Sequence, residues 1–195
     1  MIKEMKKIIL IAVMAVMSVA ASAQNLTFGY VNFNEIVMLM PEMDAARATM
    51  EENQKTNEEI LMSMYQEYQT KMQDYQAKAS TWTSAIRESK EKELMDIESR
   101  LQQTQQSLQQ EMQQLQNSLQ APIYEKAQTT VQEIAKAQGL AFVFEESSLL
   151  YIDPAQGVNL TTEARKALNI PEGRTLEALQ AELEAKAMAA QQGQM

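Results

Sequence analysis

The chain has 195 residues, a formal net charge of −9 at pH 7, and neither Cys nor His. Their absence excludes disulfides, Cys nucleophiles, His general bases and the usual zinc sites. The acidic balance argues against nucleic acid as a partner, and no phosphate-binding glycine loop or Ca²⁺ loop is present. The sequence therefore predicts no enzyme and no cofactor.

Residues 1–23 have the pattern of a secretory signal peptide. Three lysines in the first seven residues precede the apolar run Ile8–Ala20, and Ala21-Ser22-Ala23 is a small-x-small cleavage pattern. A run of 13 residues is too short for a transmembrane helix, which needs about 20. We predict export and cleavage after Ala23, which leaves 14 basic and 25 acidic residues. An uncleaved membrane anchor is the alternative.

The stretch 24–41 that follows is rich in β-forming residues. We predict a strand over Asn25–Phe33, with Asn34 as the N-cap of a short helix. Pro41 either ends this opening turn or takes the first position of the next helix.

The segment 42–138 is the centre of the chain. Its 97 residues contain no Gly and a single Pro, Pro122, and they are dense in helix-forming Gln, Glu, Lys, Met, Leu and Ala. The only plausible break lies at 79–84, where Thr83 or Ser84 can cap a second helix. We therefore predict two long helices folded back as an antiparallel hairpin, with its tip near 79–84 and a bend at Pro122.

Apolar residues recur at steps of three and four in both predicted helices, as they do along the seam of a coiled coil. When the pattern of the first helix is extended towards its N-terminus, the seam positions become polar between Arg47 and Asn57. The predicted seam positions are Leu61, Tyr65, Tyr68, Met72, Tyr75, Ala79 and Trp82 in the first helix, and Ile97, Leu101, Thr104, Leu108, Met112, Leu115, Leu119, Ile123 and Ala127 in the second.

The hairpin is predicted to stop at Gly139, which suits a left-handed helix terminus. Leu140–Phe144 and Leu149–Ile152 are predicted strands, and 158–160 is a further extended segment. Thr161 is predicted to cap a small helix that ends near Leu168. The fold class is thus α+β and predominantly helical, with a small β body of 24–41 and 139–168. Residues 169–195 form a helical extension that is expected to be partly disordered.

Strands this few and this short cannot bury enough surface to be stable alone. Oligomerisation would join strands from several protomers into a closed barrel, although this argument does not fix the number of chains. The residues expected in that oligomeric body are Phe28, Tyr30, Phe142, Phe144, Leu150 and Ile152.

The order of these features resembles the Skp (OmpH) family of periplasmic chaperones over about Phe28 to Leu168. The resemblance rests on the signal peptide, Tyr30-Val31-Asn32, the long hairpin, and then Pro122-Ile123-Tyr124-Glu125-Lys126, Ile134-Ala135-Lys136, Ala141-Phe142-Val143-Phe144 and Asn159-Leu160-Thr161. It implies a jellyfish-shaped homotrimer with a β-barrel body and three hairpin tentacles. These tentacles would enclose unfolded outer-membrane proteins without ATP.

This chain departs from the well-studied members, which are basic, because it is acidic. That charge argues against contact with lipopolysaccharide or a membrane surface, while enclosure by shape is less affected. Five basic residues among three acids still make the stretch 71–92 mildly positive, although a solvated helix end is the plainer interpretation. The basic residues of the predicted tip are Lys78, Arg87, Lys90 and Lys92, and we call them the tip cations.

A chaperone for unrelated clients needs weak, adaptable contacts, which flexible and polarizable Met side chains supply. The seam residues are interpreted first as contacts within the hairpin, whereas Met62 and Met64 fall off the seam. The candidate client-binding residues are Met62, Met64, Trp82 and Met95. The alternative function is an envelope coiled-coil adaptor that binds one folded partner. The shape also resembles prefoldin, but the export signal argues against that cytosolic family.

Overall fold

The computed structural model describes residues 27–192, apart from the side chain of Gln191. The predicted signal peptide therefore lies outside the described residues. Single 3₁₀ turns occupy Ala79–Thr81 and Glu146–Ser148. The remaining elements are β1 (Phe28–Val31), α1 (Phe33–Leu39), α2 (Pro41–Lys78), α3 (Ser84–Ala137), β2 (Val143–Glu145), β3 (Gly157–Asn159), α4 (Thr161–Ala167) and α5 (Leu176–Gln192).

The described chain divides into two compact units. The body comprises the residues up to Met40 and those from Glu125 onward, and the hairpin is Pro41–Tyr124. The body is thus larger than 24–41 and 139–168, because it includes the end of α3 and the extension after 168. Ala127, Val131 and Ile134, at steps of four and three along α3, are buried in it.

The hairpin tip lies where the composition places it. α2 begins at Pro41, whose fixed φ suits the first helical position. α3 begins at Ser84, and the hydroxyl of Thr83 accepts a hydrogen bond from the Ile86 N–H at 3.4 Å, as an N-cap does. The break between the helices is therefore a single 3₁₀ turn without Gly or Pro.

The sheet has the order β2-β1-β3, and both outer strands run parallel to β1. The predicted strand at Leu149–Ile152 is wrong, since that segment has no strand structure and the third strand is Gly157–Asn159. Parallel strands on opposite sides of β1 require a crossover connection, which residues 146–156 provide. Leu150 and Tyr151 lie on this connection and are 106% and 80% exposed. Their apolar side chains therefore do not belong to a strand of the sheet in this chain.

The start of α1 is held by three side chains, two of which come from distant parts of the sequence. Asn32 caps the helix, because its Oδ1 accepts from the Glu35 N–H at 3.0 Å. Glu145 Oε2 accepts from the Phe33 N–H at 2.9 Å, and Thr161 Oγ1 accepts from the Asn32 N–H at 3.0 Å.

Two predicted caps are therefore wrong. Asn34 lies inside the first turn of α1, since β1 ends at Val31 and leaves Asn32 as the last residue before the helix. Thr161 is already the first residue of α4, whose N-cap position is Leu160. Its hydroxyl instead joins α4 to the start of α1.

Two helices of the body end in the same left-handed turn. Gly139 has a φ of +66°, and the N–H groups of Gly139 and Leu140 donate to the carbonyls of Lys136 and Ala135. This is the Schellman arrangement, and it confirms the predicted role of Gly139. Asn169, with a φ of 56°, ends α4 through equivalent bonds to Lys166 and Arg165.

The core of the body lies where α1, α4 and the first turns of α5 meet. Its fully buried side chains include Ile36, Leu39, Met40, Leu160 and Leu168. Full burial of such a side chain contributes about 1.5–3 kcal/mol.

The extension after 168 completes this core. Ile170 and Leu179 are 6% and 4% exposed, and α5 packs against α1. Arg165 pairs with Glu35 and also donates to the backbone carbonyl of Arg174. The described part of α5 beyond Leu179 is exposed.

Candidate client-binding and assembly surfaces

The distal half of the hairpin has a tight apolar seam. Leu94, Ile97 and Leu101 of α3 are 8%, 1% and 7% exposed, and Tyr68, Met72 and Tyr75 of α2 are half-buried. Leu94 was missing from the predicted seam, although its step of three to Ile97 indicates it. Between Leu101 and Ile123 every predicted seam residue of α3 is only half-buried.

Several polar contacts cross between the helices of this distal half, and we call the three nearest the tip the clasp. Tyr68 donates its hydroxyl to Glu98 Oε1 at 2.5 Å. Lys71 pairs with Glu93, and Tyr75 donates to Glu91. In each contact α2 supplies the donor and α3 supplies the carboxylate. The clasp therefore holds the ends of the two arms together by charge-assisted hydrogen bonds.

The clasp shifts the pKa values of its members. Hydrogen bonds from Lys71 and then Lys90 lower the pKa of Glu93 from its usual 4.5 to about 2. The hydrogen bond to Glu93 raises the pKa of Lys71. Hydrogen bonds to carboxylates likewise raise the pKa of Tyr68 and of Tyr75, because they favour the protonated phenol.

These shifts give the clasp a defined pH window. The pKa of Glu93 is lower in the folded chain, so its contribution to stability is complete above about pH 4.5 and is lost as the pH falls through about 2. The pKa values of Tyr68, Tyr75 and Lys71 are raised. Their contribution is therefore present at neutral pH and is lost as the pH rises through their folded values.

We expect the Glu93→Gln variant to melt about 1–3 °C below the unmodified protein at pH 7, since it loses two charged contacts at a solvated site. The difference should shrink towards zero between about pH 4.5 and 2, where the unmodified carboxylate also becomes neutral. Thermal unfolding followed by far-ultraviolet circular dichroism measures both. Glu88→Gln, at an exposed position on the same helix, is the control and should show no difference. A Glu93→Gln deficit that persists unchanged at pH 2 would contradict this interpretation.

The candidate client-binding residues differ in accessibility. Met62 and Met95 are 61% and 62% exposed, one on each arm. Trp82 is half-buried at the tip, where its ring contacts Tyr75 edge to face with centroids 5.9 Å apart.

Two neighbouring positions on α2 exchange the environments predicted for them. Met64, which the sequence pattern places off the seam, is half-buried, whereas Tyr65, a predicted seam residue, is 45% exposed. Asn57, Leu61, Met64 and Tyr68 are the half-buried positions here, so the facing stripe passes through Met64. Met62 and Met95 therefore present more free surface than Met64 does.

Two of the four tip cations are engaged within their own helices. Lys78 pairs with Asp74, and Lys90 pairs with Glu93 at 2.9 Å. Arg87 and Lys92 are exposed. Asp74 is already among the three acids counted in 71–92, but Glu93 lies just beyond that stretch, so the positive character of the tip is weaker than the count indicates.

Four of the predicted oligomer residues share one face of the sheet, which we call the aromatic face. In the parallel register Tyr30 is opposite Phe144, so alternation places Phe28, Tyr30, Phe142 and Phe144 together. The ring centroids of Phe28 and Phe144 are 5.8 Å apart, and those of Phe142 and Phe144 are 6.3 Å apart. Phe142 and Phe144 are 56% and 43% exposed. Val31, on the opposite face, is 3% exposed.

Ile152 extends the aromatic face. A Cβ added to Gly157 would lie 2.6 Å from Ile152 Cγ2 and 3.3 Å from the ring of Phe28, so these two side chains occupy the space left by the glycine. Leu150, in contrast, is fully exposed on the crossover connection. A shallow groove of about 320 Å³ adjoins Phe144, and Val31, Phe33, Val131 and Val143 help to line it.

Within residues 27–192, no group of three or more His, Cys, Asp or Glu side chains is arranged to hold a metal ion. No helix in the same described range is both long and apolar enough to cross a membrane.

A long two-helix hairpin combined with a small parallel sheet defines the class: an α+β protein, predominantly helical, built as a coiled-coil arm and a small body. The chain belongs to the OmpH-like outer membrane protein family, whose model matches residues 27–168. Its extension after 168 lies beyond that match.

A solved structure shows the same fold. The chain is similar to a candidate outer membrane chaperone (OmpH-like) from Caulobacter crescentus CB15, with a TM-score of 0.65 and 16% sequence identity. The similarity covers 75% of this chain and 85% of that one. No curated protein matches the chain.

Proposed function

We propose that the protein is an ATP-independent holdase chaperone of the periplasm. It encloses unfolded outer-membrane β-barrel proteins between helical tentacles and prevents their aggregation. The observation that carries this proposal is the long hairpin and the distribution of its exposed apolar residues. These residues, which include Met62, Tyr65 and Met95, are scattered along both helices and do not form one pocket. Weak, separate contacts suit clients that share no sequence.

The comparisons support a chaperone role in general terms. The OmpH-like family is not an enzyme family, and its name and that of the Caulobacter relative refer to outer membrane proteins and a chaperone. OmpH-like chaperones act in the periplasm, which agrees with the proposed export signal. Removal of residues 1–23 would give the secreted protein an N-terminus at Gln24, which mass spectrometry can measure.

The working assembly is a homotrimer that buries the aromatic face. Phe28, Phe142 and Phe144 form a contiguous apolar cluster on a sheet with two unpaired edge strands. Such a cluster on a small body is typical of a subunit interface. The number three comes from the family resemblance and not from the protomer.

The test is suppression of aggregation. Several unrelated outer-membrane barrels, unfolded in urea and diluted into buffer with the mature protein, should scatter less light than without it, with no ATP present. An envelope adaptor would leave all of them to aggregate and would capture one folded partner instead. Failure with every barrel would overturn the proposed function.

A further inference from the structure

One stretch of the hairpin is almost free of charge. Residues 101–124 of α3 contain ten glutamines and a single charged residue, Glu111. Glu and Lys form helices about as well as Gln, and long solvated helices usually carry i,i+4 ion pairs. The stability of the helix therefore does not require this composition, and no such ion pair is possible within the stretch.

Part of this glutamine set forms a stripe along one side of α3. Its members follow at steps of three and four, so they share a helix face: Gln102, Gln105, Gln109, Gln113, Gln116 and Gln120. Gln105 donates to the hydroxyl of Tyr65 across the hairpin at 3.0 Å, which places the stripe beside Tyr65 of α2. Met62, one turn before Tyr65, is 61% exposed. We call this stripe with Met62 and Tyr65 the amide face.

The other side of the hairpin has a different chemistry. Glu67 and Arg100 pair across the helices at 3.5 Å, and a shallow depression there is also lined by Glu93, Asp96 and Ser99. The charged residues of α2 between Met62 and the tip are Glu67, Lys71, Asp74 and Lys78, at steps of four, three and four. Between Met62 and the tip, these charges of α2 lie on the side away from Met62 and Tyr65. The two lines of the amide face continue into charged residues at steps of three and four: Glu58, Lys55 and Glu51 precede Met62 on α2, and Glu98 and Glu91 continue the stripe of α3 towards the tip. The amide face is therefore a neutral stretch between charged residues.

Four amides of the stripe reach solvent, and two of these are free of side-chain hydrogen bonds. Gln102, Gln105, Gln109 and Gln113 are exposed. The Gln113 amide donates within its own helix to Gln116 at 3.5 Å and to Asn117 at 3.4 Å. Within the described part of the chain, the side chains of Gln102 and Gln109 make no hydrogen bond. Each primary amide offers two donor hydrogens and an acceptor oxygen.

We propose that the amide face binds the main chain of an extended, unfolded polypeptide segment. This inference rests on the proposed function and names the contact that it uses. Every non-proline residue of a client carries one N–H donor and one C=O acceptor, whatever its side chain, and a glutamine amide pairs with both. A neutral amide repels neither acidic nor basic clients, which matters on a chain of net charge −9. Met62 and Tyr65 add contacts to the client's apolar residues.

The test compares two triple variants with the same spacing and the same substitutions. Gln102→Ala/Gln109→Ala/Gln113→Ala removes three amides from the amide face, and Gln103→Ala/Gln110→Ala/Gln114→Ala removes three from the rest of the helix surface. Alanine keeps or improves helix propensity, so both variants should fold. The probe is a labelled eight-stranded outer-membrane barrel, unfolded in urea and diluted into buffer, and the measurement is its dissociation constant from the mature protein.

We expect the first variant to bind at least fivefold more weakly than the unmodified protein and the second to stay within twofold. The ratio should be unchanged between low and moderate salt, because no charge is removed. Equal affinities for both variants overturn the amide face while leaving the holdase function intact. A change in oligomeric state in the first variant shows that a second copy occupies the face, which also overturns it. If the unmodified protein binds no unfolded barrel, both proposals fail.

Discussion

The Phe144→Asp variant is expected to separate the assembly into single folded chains. Phe144 lies at the centre of the aromatic face, where it contacts both Phe28 and Phe142. In the proposed trimer its ring is buried against a neighbouring protomer. A carboxylate in that place is buried without a partner, which costs on the order of several kcal/mol at each interface. Each tenfold loss of affinity requires only about 1.4 kcal/mol, so dissociation at micromolar concentration follows.

Light scattering coupled to size-exclusion chromatography measures this change as a fall from three chains to one. Leu183→Asp is the matched control, because Leu183 is partly exposed and belongs to helix α5, not to the sheet. It should leave the mass unchanged. Both variants should retain the helical circular dichroism of the unmodified protein, since Phe144 contributes little to the core of the protomer. A stable monomer in the unmodified protein would exclude the proposed assembly.

Removing one heptad from each arm is expected to weaken binding of large unfolded clients by at least about tenfold, because the enclosed volume shrinks with arm length. The deletion takes residues 48–54 from α2 and 115–121 from α3, so it removes Gln116 and Gln120 of the amide face and keeps the four exposed glutamines of the stripe. Whole heptads preserve the phase of the seam and leave the clasp in place. At 1.5 Å per residue the 38-residue α2, about 57 Å long, becomes about 10 Å shorter.

The matched control duplicates the same two heptads, which lengthens both arms without new chemistry. It should bind large barrels at least as well as the unmodified protein. Small eight-stranded barrels should be affected less than large ones by either change. Affinity should vary little between about 50 and 300 mM NaCl. The screening length falls across this range, passing ~10 Å at 0.1 M, so binding by a charged patch would weaken. Affinity that collapses with salt and survives shortening would instead identify a charged patch as the binding element.

Local chemistry made much of this fold predictable. A stretch of 97 residues that is dense in helix formers and contains no Gly favours helix, and Gly139 marks its end because only a residue that tolerates positive φ suits the final turn. The spacing of two residues between Phe28 and Tyr30, and between Phe142 and Phe144, likewise places four of the predicted assembly residues on one face. These features depend on neighbours a few residues away, which the sequence displays directly.

The errors arose where distant residues decide the outcome. Leu149–Ile152 has strand-forming composition, but the edge of β1 is taken by Gly157–Asn159 after the crossover. Thr161 resembles a cap by residue type, yet its hydroxyl is used by Asn32, 129 positions earlier. Met64 and Tyr65 are neighbours in the sequence, so their side chains point about 100° apart around the helix axis. The rotation of α2 against α3 decides which of the two faces α3.

The contacts at the start of α1 also constrain the order in which the chain folds. Phe33 and Glu145 are separated by 112 residues, and closing so long a loop in an unstructured chain is entropically costly and slow. The hairpin relies on contacts of much shorter range, such as Tyr75 with Glu91, only 16 residues apart. Once it has formed, an antiparallel pair of helices brings residues 41 and 124 close together, so the remaining closure spans only short flanking segments. We therefore expect the arm to act as the folding template for the sheet, and β1 to stay unpaired until the hairpin is complete. In pulsed hydrogen exchange during refolding, the backbone amides of the distal hairpin should therefore become protected before the backbone amide of Gly29 in β1.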